Sequence, residues 1–67
     1  MRPISLAAAR VDAGMTQAEV ARALKVSKNT VVSWEKGTSE PKISQLRSLC
    51  TLYNRPVDDI FLLSESI

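Results

Sequence analysis

The chain contains no histidine and a single cysteine, Cys50. The first absence excludes imidazole acid–base catalysis and His-ligated metals. The second excludes an internal disulfide and a cysteine-rich zinc site. Long apolar runs are also missing. No stretch approaches the roughly 20 residues needed to span a bilayer. The opening MRPISLAAARVDAG has too short an apolar run for a signal peptide, and Arg10 and Asp12 break it. A cytoplasmic protein is therefore expected. No linker, repeat or low-complexity segment divides the sequence, and no nucleophile–base constellation is available. Neither an enzyme nor a bound cofactor is expected.

What is present fits one small domain. The 67 residues allow a single unit over 1–67 with a thin core, burying about 60% of the unfolded chain's surface. A net charge of +2 and a pI near 9.0 are only mildly basic. The distribution is more telling. Residues 1–36 carry six basic side chains (Arg2, Arg10, Arg22, Lys25, Lys28, Lys36) against Asp12, Glu19 and Glu35, whereas residues 37–67 carry three against four. The first half is the one suited to a polyanion.

That half holds the most informative segment, TQAEVARALKVSKNTVVSWE, from Thr16 to Glu35. It reads as two short helices joined by a tight turn. Thr16 and Glu19 have the spacing of a capping box. Val20, Ala21 and Leu24 recur at helical spacing and form an inward stripe, with Ala21 small where two helices must cross. Val26 anchors the turn, and Ser27 is a favoured N-cap for a second helix, Lys28 to about Lys36. At 100° per residue, Val31 and Trp34 fall on one side of that helix, with Thr30 and Glu35 flanking them. Lys28, Asn29, Val32, Ser33 and Lys36 fall on the other. This outward face lacks an acid, whereas a merely solvated helix usually mixes both signs. An amide suited to adenine, a methyl-bearing side chain suited to thymine, a hydroxyl and cations together suit a DNA major groove.

The remaining segments read as further helices. One spans about Ile4 to Ala13, with Leu6, Ala9 and Ala13 inward and Gly14 as its stop. Another lies near Ile43 to Tyr53, burying Ile43, Leu46, Leu49, Cys50 and Tyr53, with Asn54 as a left-handed cap. A last helix, about Val57 to Leu62, closes the core with Val57, Ile60 and Phe61. Cys50 on the inward stripe reads as a small buried residue rather than a reactive thiol. Trp34, beside Val31, reads as core rather than as a base-stacking platform.

Arg10, Gly14, Thr16-Gln17, Glu19, Ala21, Leu24, Val26-Ser27, Thr30, Trp34-Glu35, Gly37, Pro41, Leu46, Leu49, Asp58 and Ile60 carry a wider likeness. On these residues the chain resembles the Cro/CI-type helix-turn-helix family of phage repressors and related bacterial regulators, over roughly Leu6 to Leu62. The resemblance implies an all-α, compact five-helix, lambda-repressor-like domain whose helix-turn-helix, about 16–36, is formed by helices two and three. The domain would bind double-stranded operator DNA, commonly as a homodimer, a DNA-induced one included. It makes Gln17 a phosphate contact at a helix N-terminus, and it pairs Arg10 with Glu35 in a structural salt bridge. Three positions depart from the pattern. Lys25 stands where glycine is usual, Arg55 replaces an aliphatic residue, and Pro56 replaces a serine N-cap.

These readings converge on a sequence-specific DNA-binding transcriptional regulator. The expected form is a phage or prophage Cro-like repressor acting in a bacterial or phage-infected cell. With no self-cleaving or oligomerisation domain expected after the motif, unless the chain is an excised fragment, a Cro-like protein is expected over a cleavable repressor. Lys28, Asn29, Val32 and Ser33 are the expected base contacts. Thr16, Gln17, Lys36 and Lys42 are the expected backbone contacts. The apolar tail from Phe61 to Ile67 is expected to join the last helix in a two-fold contact. Two alternatives stay open: an antitoxin-type autoregulator with a protein partner, and a protein-docking helical module that no longer reads DNA.

Overall fold

A computed structural model describes residues 3–62. Four helices and a small parallel sheet make up this part of the chain. Ser5 determines where the first helix begins. Its backbone is extended (ψ 162°) and its hydroxyl accepts the Ala8 N–H at 3.1 Å, so α1 runs Leu6–Asp12. The expected start at Ile4 is therefore corrected. Ile4–Ser5 instead forms strand β1. Leu6 and Ala9 are buried as expected, but Ala13 is an exposed C-cap residue rather than part of the core.

Helix α2 (Gln17–Leu24) opens on a complete capping box. The Glu19 N–H donates to Thr16 Oγ1 at 3.1 Å, and the Thr16 N–H donates to Glu19 Oε1 at 2.8 Å. The Thr16 backbone N–H, and after it the Thr16 side chain, hold the Glu19 carboxyl below its ordinary pKa. The helix ends on Lys25, whose φ of 59° is left-handed. The Val26 N–H then reaches back to the Ala21 carbonyl at 3.0 Å and turns the chain sharply. A side chain at this φ is strained, whereas glycine is not. Lys25→Gly is accordingly expected to stabilise the fold by up to about 1 kcal/mol, partly offset by glycine's larger unfolded-state entropy. Urea denaturation checks this, and a loss of stability would mean that the lysine side chain stabilises the turn.

Helix α3 (Lys28–Lys36) begins with Ser27 Oγ accepting the Thr30 N–H at 3.1 Å, and it stops at Gly37, left-handed at φ 82°. There the Gly37 and Thr38 N–H groups converge on the Ser33 carbonyl at 3.0 and 3.1 Å. Helix α4 (Ile43–Tyr53) buries Leu49, Cys50 and Tyr53, and its left-handed cap is Asn54 as expected. Ile43 corrects the expected core, being 67% exposed. The helical phase is right, but the side chain lies in the first turn, and among the described residues no neighbour covers it.

The largest correction concerns the last element. Val57–Asp59 is a single 3-10 turn, followed by strand β2 (Ile60–Phe61), not a fifth helix. Pro56 supplies neither a side-chain acceptor nor an N–H, so nothing caps a helix here. The β-branched Ile60 is extended and pairs in parallel with Ile4, while Phe61 pairs with Ser5. Val57 and Phe61 face solvent, contrary to expectation, and Ile60 is half-buried. Leu62 takes the core place. Arg55 fixes the turn by pairing with Asp12 at 2.6 Å and Asp59 at 3.8 Å. Leu6, Ala9, Val20, Ala21, Val31, Trp34, Leu49, Tyr53 and Leu62 form one apolar cluster. The α2–turn–α3 unit is seated on this cluster.

Candidate nucleic-acid interface

The core fixes which side of α3 is free. Val31 and Trp34 are 1% and 4% exposed, so their face is spent on packing. On the opposite face Lys28, Asn29 and Lys36 are exposed, and Val32 and Ser33 are half-buried. Trp34 is thereby removed from any base-stacking role. The helix's one acid, Glu35, is turned inward, its side chain only 7% exposed. The outward surface therefore keeps its cations without a carboxylate among them.

Glu35 is held by a network rather than a single pair. Arg10 Nε donates to its Oε2 at 2.7 Å and Arg10 Nη2 to its Oε1 at 3.3 Å, a forked geometry. Arg10 Nη1 donates to the Met15 carbonyl at 2.9 Å, tying the end of α1 to the approach of α2. The hydrogen bond to Glu35 raises the Arg10 pKa above its ordinary value against the opposing effect of burial. Nearby, burial above all, then the Glu35 charge, pushes the Tyr53 phenol up to about 12. Burial likewise raises the Cys50 thiol, which suits packing better than nucleophilic chemistry.

The backbone-contact candidates are less uniform. Thr16 is exposed but its oxygen already serves the cap. Gln17 is half-buried, and its Nε2 donates to Glu35 Oε1 at 3.0 Å, a bond that sequence reasoning missed. No local spacing signals it, because the two residues meet only when α2 and α3 cross. The Gln17 and Ala18 backbone N–H groups have no acceptor among the described residues, as befits a helix start. Lys36 is exposed on α3. Lys42 is the exposed N-cap residue of α4, and among the described residues no hydrogen bond or ion pair ties it to α3.

Two packed helices joined by a tight turn, with Ala21 buried and the second helix presenting its polar face outward, fit one family model, described as helix-turn-helix, over residues 6–60. The chain belongs to the helix-turn-helix family. Among relatives, the cryptic phage CTXphi transcriptional repressor RstR of Vibrio cholerae is 37% identical over 57 residues, 85% of this chain and 51% of its own length. This helix-turn-helix chain thus spans about half of that relative. Two uncharacterized HTH-type transcriptional regulators of Archaeoglobus fulgidus are 32% and 30% identical, each over 84% of the chain and about four-fifths of their own lengths. No solved structure matches it significantly. Among the described residues no cluster of ligating side chains could hold a metal, and no helix is long and apolar enough to cross a membrane.

Proposed function

We propose that this chain is a sequence-specific, DNA-binding transcriptional regulator of the phage or prophage Cro-like repressor kind. One observation carries the reading: α3 faces outward with Lys28, Asn29, Val32, Ser33 and Lys36, while its only acid is paired inside with Arg10. Lys28 and Asn29 stand in the first turn, where base edges are nearest in this motif. Val32 and Ser33 follow one turn later. Gln17, Thr16 and Lys36 would hold phosphates and set the register of α3 in the groove, with Lys42 as an outlying contact. The likeness to a phage repressor and to HTH-type regulators supports the same reading.

Selection of bound sites from a random DNA pool tests this directly, and failure to enrich any sequence would remove it. On the enriched site, Asn29→Ala is expected to cost about 1–3 kcal/mol and much less on random DNA. Equal losses on both would strip Asn29 of its base-reading role. Binding should also weaken steeply with salt as counterions are released, which a protein-docking module would not show.

A homodimer on a pseudo-palindromic operator completes the proposal. One module of this size makes few contacts for tight operator binding. Two copies would place their α3 helices roughly 34 Å apart, one DNA turn. Exposed Val57 and Phe61 leave apolar surface at the end of the described body. The expected contact through Leu63 and residues 64–67 lies outside the described residues. Stoichiometry on the enriched site, two copies per palindrome against one, decides it.

A further inference from the structure

We infer that Glu35 is a positioning residue for DNA docking, acting through the side-chain amide of Gln17; the inference rests on the DNA-binding reading above. A carboxylate only accepts, so the Gln17 group facing it must be the amide nitrogen. The observed donor is indeed Nε2, 3.0 Å from Glu35 Oε1. One of that nitrogen's two hydrogens is thereby committed. The other finds no acceptor among the described residues, and neither do the backbone N–H groups of Gln17 and Ala18 at the same helix start. Glu35 thus sorts the two ends of a side chain that would otherwise rotate freely. It commits the nitrogen end to Glu35 and leaves that nitrogen's second hydrogen unspent on the first residue of a helix whose starting N–H groups are also open.

The anchor for this amide is itself buried and multiply bonded. Glu35 is 7% exposed and is forked by Arg10, which also grips the Met15 carbonyl just before α2. The same carboxylate belongs to α3. The backbone-gripping start of α2 and the base-facing helix are therefore locked to one another through a single pair of oxygens. A glutamine left loose must surrender its rotamers on meeting a phosphate, which weakens binding by about two- to tenfold. Ordering it beforehand recovers that factor on every sequence alike, because phosphates carry no base identity.

A double-mutant cycle tests the inference, measuring Kd on the enriched duplex and on a random-sequence duplex. Glu35→Gln is expected to weaken both about two- to tenfold in the otherwise native chain, leaving the selected consensus unchanged. In a Gln17→Met background the same substitution should change neither, while still lowering the melting temperature. Equal weakening in both backgrounds would show that Glu35 acts only by general stability, and would overturn the inference. A second measurement serves where Glu35→Gln does not fold. Gln17 and Gln45 are the only glutamines in the chain, and Gln45 uses its oxygen, not its nitrogen, to accept the Lys42 N–H at 2.8 Å. One side-chain amide hydrogen of Gln17 should then exchange with solvent more slowly than either of Gln45. Indistinguishable rates would overturn the inference. A native chain that binds no DNA removes the functional reading and this inference together, whereas native binding with an additive cycle removes this inference alone.

Discussion

Arg10→Ala is expected to cost about 3–5 kcal/mol of folding stability, the scale for breaking a buried ion pair. The argument lies in what remains behind. The Glu35 side chain is 7% exposed, and without the guanidinium it keeps, among the described residues, only the Gln17 amide as a donor. Arg10 also loses its bond to the Met15 carbonyl, so the approach to α2 loosens with it. At about 0.05–0.15 kcal/mol per residue a domain of this size holds only some 3–10 kcal/mol in all. The variant should therefore be largely unfolded at moderate temperature. Replacing both partners, Arg10→Met with Glu35→Met, should recover much of the loss because no uncompensated charge is left inside. Urea midpoints of the three variants check this. A loss below about 1 kcal/mol for Arg10→Ala would place the pair with ordinary surface bridges.

The second large effect is Trp34→Ala, expected to cost about 3–5 kcal/mol. Trp34 is 4% exposed and packs in the same cluster as Val31, Leu49 and Tyr53. Truncation empties the contact between α3 and the rest of the core, and little nearby can collapse to fill it. Trp34→Phe should be milder and should leave the consensus enriched from random DNA unaltered. A changed consensus with unchanged stability would mean that the indole meets bases after all.

Residues whose partners are near in sequence were legible before any coordinates. The Thr16–Glu19 box, the Ser27 cap, the Asn54 left-handed stop and the Val31–Trp34 face all follow from three- and four-residue spacings. The outward set on α3 follows from the same period. What resisted was set by distant partners. Ile4 and Ile60 have helix-compatible neighbours, and only their pairing across the fold makes both extended. Pro56 stands out in the sequence as an unusual helix start, but the pairing of Arg55 with Asp12 across the structure does not. Gln17 shows the same division at the candidate site. Its place at the helix start was readable, while its bond to Glu35 needed two helices in contact.

The parallel sheet also determines how this body would answer a mechanical load. Because β1 leads into α1 and β2 follows the last turn in the same direction, tension on the two ends slides the strands past one another rather than peeling them apart. The inter-strand bonds then share the force and must rupture together. With only two residues per strand there are few of them, and their slanted parallel geometry is the weaker kind. The Arg55–Asp12 bridge ties the end of α1 to the turn before β2 and is a separate restraint on the same segment. Once the seam slips, Leu62 leaves the core and the helices lose the clasp that shuts their open end.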